Sequence, residues 1–168
     1  MSDNTLQRAF IDELREAYDA EEQLIKASRR FAKAASSPDL RKAFESHGEE
    51  AKEQLRRLEQ VFKLFARKAR AKRCDPIAAM IDQGKKIIES GFEKAALDAY
   101  LIAVSQRLKH YEIAVYGTLA VWARALEQEE AADLLEETLD EEKATDQELT
   151  SLAEDSTNDD AADVGQGD

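Results

Sequence analysis

A chain of 168 residues with 43% hydrophobic and 36% charged side chains is long enough for one domain with a sizeable core, and its scarce glycine (6) and proline (2) favour helices over sheets. The formal charge of −12 repels phosphate backbones, so nucleic acid is not an expected partner. No apolar run reaches the length of a membrane span, the polar start Met1–Thr5 lacks a signal core, and the single Cys74 forbids an intramolecular disulfide, so a cytoplasmic protein is expected.

Taken in chain order, the first helix is predicted from Thr5 to about Ala35. Leu6, Phe10, Leu14, Ala17, Glu21, Leu24 and Ser28 follow one another at steps of three and four, so they share a face. Ser36-Ser37-Pro38-Asp39 ends it, with Ser37 placed as N-cap and Pro38 as first residue of the next helix. That second helix runs to about Phe65, with Leu40, Phe44, His47, Glu50/Ala51, Gln54, Leu58, Val61 and Leu64 on its stripe. A basic stretch follows, Lys63 to Arg73, with six Lys or Arg and no acid. It reads as a solvated helix end more readily than as an anion site, since Phe65 is its only aromatic residue.

Cys74-Asp75-Pro76 opens a short helix to about Ser90, with Gly91 suited to the position after its end. A long helix is predicted from Lys94 to Leu126 on Leu97, Leu101, Val104, Leu108, Glu112, Val115, Leu119 and Trp122. Gly117 inside it suggests a close approach of another helix, in the chain or at a subunit contact. The last long helix, Gln128 to Glu154, carries Leu135, Leu139, Glu142, Thr145/Asp146, Leu149 and Leu152. From Asp155 the chain holds five acids, no base and almost no large apolar group, so residues 155–168 are expected to be a disordered acidic tail on a 1–154 domain. Two hairpins joined by about 28 residues containing a short helix describe an all-α fold, a ferritin-like four-helix bundle with a long crossover containing a fifth helix.

Glu21, Glu50, Glu112 and Glu142 sit one per long helix in these apolar stripes. A carboxylate buried alone costs several kcal/mol, and four converging ones repel each other. They must be protonated, paired with bases, or bridged by cations. The nearest stripe positions hold His47, Gln54, Thr145 and Asp146, with no Lys or Arg, so cations are expected. Helices two and four each add a donor one turn on, Gln54 after Glu50 and Asp146 after Glu142. The plain alternative places each glutamate at the edge of its stripe, in contact with water.

Asp12-Glu13-Leu14 with Tyr18-Asp19-Ala20-Glu21, His47-Gly48-Glu49-Glu50, Arg57-Leu58-Glu59-Gln60-Val61-Phe62, His110-Tyr111-Glu112-Ile113-Ala114 with Tyr116-Gly117-Thr118-Leu119, and Glu141-Glu142-Lys143-Ala144-Thr145-Asp146 together resemble the YciE/YciF family of ferritin-like bacterial proteins. The resemblance runs from about Leu6 to Ala153. It implies a ferritin-like fold, a di-iron-type centre, a homodimer and an association with stress responses. Carried over, Glu21, Glu50, Glu112 and Glu142 resemble the ligand glutamates, with Asp146 and Gln54 as extra donors. The usual Glu-x-x-His is missing on both helices: Glu53 and Thr145 stand where the histidines would fall. Glu53 offers an oxygen instead, and an oxygen-rich set suits two metal ions of the hard kind, Mn²⁺, Mg²⁺ or Ca²⁺ as well as iron.

His47 is a ligand or, preferably, a hydrogen-bond partner of a ligand carboxylate. His110, two residues from Glu112, faces elsewhere and is expected near Tyr18 or Asp19. Tyr18, Tyr111 and Tyr116 lie at the same level, where tyrosines hydrogen-bond carboxylates. No nucleophile motif and no phosphate loop appears, and Cys74 has no partner histidine. The expected function is metal binding with ferroxidase or peroxide-removing chemistry towards O₂ or peroxide. The alternative is a non-catalytic helical dimer whose metals serve folding, or which has none.

Overall fold

The expected stripes become the contact faces of two antiparallel hairpins in the computed structural model, which describes residues 5–163. The first pairs α1 (Thr5–Ala34) with α2 (Pro38–Leu64), and the second pairs α4 (Lys94–Ala125) with α5 (Glu129–Leu152). Ser37 is the N-cap of α2, extended at φ −65° and ψ 128°, and its hydroxyl accepts from the Leu40 N–H. The α1–α2 turn is pinned by the start of α4: both carboxylate oxygens of the buried Asp98 accept, one each, from the Ser36 and Ser37 N–H groups at 2.8 Å.

The crossover carries the chain back along the bundle. Residues 65–74 climb α1: the Lys72 N–H donates to the Arg15 carbonyl, and the Cys74 N–H donates to Asp19 Oδ2 at 2.8 Å. The basic run is therefore a strap on the acidic side of α1, with Lys72 bound to Asp12 and Glu16. α3 (Asp75–Glu89) continues upward and packs on α4 and α1. It ends at Ser90, with Gly91 at φ +79°, a conformation that suits a residue without Cβ.

A close helix approach does exist, at Gly84 rather than Gly117. A Cβ on Gly84 would lie 2.5 Å from Phe31 Cζ, whereas one on Gly117 would meet only Leu139 Cδ2 at 3.9 Å. Gly117 therefore answers to no tight contact within the chain.

The tail departs from expectation. The chain winds through a π-helical turn, Ala153–Thr157, into α6 (Asn158–Asp163), which packs on α4. Leu152 and Ala153 extend the core, Thr157 is buried, and acids at 159 and 160 suit a helix N-terminus, so little apolar area is enough to hold this turn. Residues 164–168 of the expected tail lie outside the described residues. No helix is long and apolar enough to cross a membrane among the described residues.

Candidate metal centre

The core is in two parts. One apolar cluster holds Leu24, Phe31, Phe44, Ile77, Leu101 and Leu149, and the other holds Phe10, Leu14, Leu58, Phe62, Leu119 and Leu135. Between them lie the buried polar side chains Glu21, His47, Gln54, Lys109, Glu112, Thr138, Glu142 and Thr145. Each long helix contributes to this layer through its own heptad-like spacing.

Lys109 lies at the middle of it. Its ammonium donates to Glu112 Oε2 at 3.1 Å and to Glu142 Oε1 at 3.1 Å, and lies 2.8 Å from Glu142 Oε2. This corrects the sequence reading, which finds no base on the stripes. Lys109 stands beside Leu108, off the stripe of α4 as drawn from its large apolar residues. But α4 packs on α1, α3 and α5, so it buries a second row: Ser105, Lys109, Glu112 and Tyr116, at steps of four, three and four. That spacing was the available signal. A second base also serves the interior: Arg57, one turn after Gln54, holds Glu141 through both terminal nitrogens at 2.7 and 2.6 Å.

Glu21, Glu112 and Glu142 are buried together. The Tyr116 hydroxyl donates to Glu21 Oε1, and Gln54 Nε2 donates to Glu142 Oε1 at 2.8 Å and to Glu141 Oε2 at 3.1 Å. Glu50 is half-buried at the margin, where it accepts from the Thr145 hydroxyl at 3.0 Å. Glu53 and Asp146 are not joined to the cluster. Glu53 is held outward by Arg56, and Asp146 pairs at 3.0 Å with His110, which lies on the α4–α5 side rather than near Tyr18 or Asp19. The buried row of α5 runs through 138, 142, 145 and 149, so position 146 falls at its edge. His47 is buried, but its Nε2 faces Glu148 at 3.2 Å. Tyr18 donates to Glu59 at 3.2 Å, and Tyr111 reaches Cys74 Sγ at 3.5 Å.

The charges settle in a definite order. Burial and the neighbouring Glu142 push the Glu21 carboxyl up to about 8, against the Tyr116 hydrogen bond. Burial and Glu142 hold Glu112 well above the carboxylate range. For Glu142 burial pulls upward as well, but the Lys109 charge and three hydrogen-bond partners outweigh it and hold it low. Burial pulls Lys109 down, and Glu112 and Glu142 more than reverse that. At neutral pH Glu21 and Glu112 therefore keep protons, and Glu142 and Lys109 form a neutral pair. His47, disfavoured as a cation by burial and by Lys109, is held below its ordinary value.

The residues fit an oxygen-preferring cation in one respect and resist it in another. Glu21 Oε2, Glu112 Oε1 and Gln54 Oε1 are buried and accept from no N–H group, Glu142 Oε2 faces the Lys109 charge, and such oxygens call for an ion, a proton or water. A cavity of about 10 Å³ touches Glu21, Glu112 and Tyr116, room for about one water-sized particle. Yet among the described residues no group of three or more His, Cys, Asp or Glu is spaced to hold a metal ion, so uptake requires carboxylates to re-aim.

Fold and centre together define a ferritin-like helical bundle with an acidic, lysine-bearing core. Residues 5–162 match the family described as "Domain of unknown function (DUF892)", and the chain belongs to it. It is 42% identical over 154 residues to Protein YciF of Escherichia coli K12, covering 91% of this chain and 93% of that protein. The crystal structure of the E. coli stress protein YciF matches with a TM-score of 0.87, covering 90% of this chain and 96% of that one. The YcfI structure from Rhodopseudomonas palustris matches with a TM-score of 0.85 at 35% identity, covering 90% and 98%. A Xanthomonas campestris protein, 19% identical with a TM-score of 0.77 over 97% and 99% of the two chains, shares the fold.

Proposed function

We propose that this protein binds metal ions in the acidic layer of its bundle and, like the stress protein YciF it resembles, acts in a stress response. The observation that supports this reading is the gathering of buried oxygens of the hard donor type from α1, α2, α4 and α5, of which Glu21 Oε2, Glu112 Oε1 and Gln54 Oε1 accept from no N–H group. Glu21, Glu112 and Gln54 would hold the ion beside the Lys109–Glu142 pair, with Glu50 at the margin within reach of the Glu142 charge. Iron, when bound there, would supply electron transfer towards O₂ or peroxide. The chain's own part is to exclude water, to release the protons of Glu21 and Glu112, and to keep Tyr116 donating to Glu21. A homodimer belongs to the same proposal, and a native mass measurement decides it.

A second reading has its own support. With Lys109 paired to Glu142 and protons on Glu21 and Glu112, the layer is neutral without a metal, as a purely structural bundle requires. Titration with Fe²⁺, Mn²⁺ and Ca²⁺ without air separates the two. Retention on dialysis and a raised Tm, both lost in Glu112→Leu, support the metal reading. Absence of both for all three ions defeats it. Ultraviolet absorbance on admitting air then tells redox chemistry from a folding role.

A further inference from the structure

Lysine is seldom fully enclosed unless paired, and here the pairing spans two helices. Lys109 starts on α4, one turn before Glu112, and reaches across to Glu142 on α5. It ties carboxylates from two helices together, which is the work a bridging metal ion does in a bundle centre. An ammonium and a metal ion cannot use the same lone pairs. The hydrogen bonds of Lys109 end on Glu112 Oε2 and Glu142 Oε1, and its ion pair takes up Glu142 Oε2. The oxygens beyond its reach, Glu21 Oε2, Glu112 Oε1 and Gln54 Oε1, stay without partners. The cavity beside Glu21 and Glu112, about 10 Å³ and lined also by Ala17, Ala20 and Val115, has space for no more than about one water-sized particle.

We propose that Lys109 is a tethered counter-cation that stands where a metal ion would bridge Glu112 and Glu142, so that this chain takes up one metal ion fewer than the same bundle would without the lysine. The remaining position is on the Glu21–Glu112 side. This rests on reading the layer as a cation site.

The test is Mn²⁺ uptake by the full chain, counted by equilibrium dialysis with paramagnetic detection. Lys109→Met is expected to take up one ion more per chain than the unaltered protein, with a larger rise in Tm on adding Mn²⁺. Lys109→Gln, which keeps a hydrogen bond to Glu142, serves the same purpose should the methionine variant not fold. Lys109→Arg, still cationic, is expected to keep the uptake of the unaltered chain. Two Mn²⁺ in the unaltered chain overturn the proposal, as does equal uptake in the unaltered and neutral variants, or a gain in the arginine variant. No ion in the unaltered chain with one in the methionine variant sinks the metal reading of the native protein but upholds the role of Lys109.

Discussion

Burial and the charge of Glu142 push the Glu21 carboxyl up to about 8, so the folded chain keeps a proton there that the unfolded chain loses near 4.5. A group raised on folding contributes stability that is complete below its unfolded value and is lost as pH rises through its folded value. Between those limits the metal-free protein is expected to lose Tm steadily, and Glu21→Gln, with no proton to lose, is expected to flatten the curve. Equal pH profiles for the two chains would rule this out. Metal ions compete with the same protons, so Mn²⁺ uptake is expected to strengthen across the same window. Tyr116→Phe removes the hydroxyl that Glu21 Oε1 accepts from and is expected to cost about 1–3 kcal/mol in urea unfolding, because a buried acceptor is left bare. Glutamates 21, 112 and 142 were legible from their stripes. Lys109 was harder to find, because it lies beside the stripe of large apolar residues, on a second buried row marked only by Ser105, Glu112 and Tyr116.

The helices themselves were plain in the sequence, since caps, prolines and a three–four period act within a few residues. Their contacts were not. Gly84 and Phe31 lie far apart in the chain, and only the docking of α3 on α1 brings them together. Gly84→Ala is expected to destabilise by about 1–3 kcal/mol, since Phe31 sits in the core with little room to shift. An unchanged urea midpoint would refute it. Asp98 is similar: a buried acid near the start of α4 gave no local sign that it satisfies two N–H groups of the α1–α2 turn. Asp98→Ala is expected to cost about 1–3 kcal/mol and to speed hydrogen exchange at residues 36 and 37 before the rest of the chain. The end of the chain shows the same limit. Composition shows how little apolar area α6 has, but not that α4 offers a surface for it.

Across the whole molecule, a ligand that binds only the folded state raises stability with its concentration. Mn²⁺ at a hundred times its Kd is expected to add about 2.7 kcal/mol, which thermal unfolding detects as a rise in Tm of several degrees. A Tm that does not respond would leave the neutral, proton-satisfied layer as the working state. By itself the sequence determined an all-α chain of two long hairpins, their boundaries, the crossover, and carboxylates facing inward from three of the four long helices, because periodicity and capping are local properties. Only the tertiary structure decided how those carboxylates are neutralised. Which base reaches which acid depends on side chains from α2, α4 and α5 meeting in one low-dielectric layer, and no spacing along a single helix contains that distance.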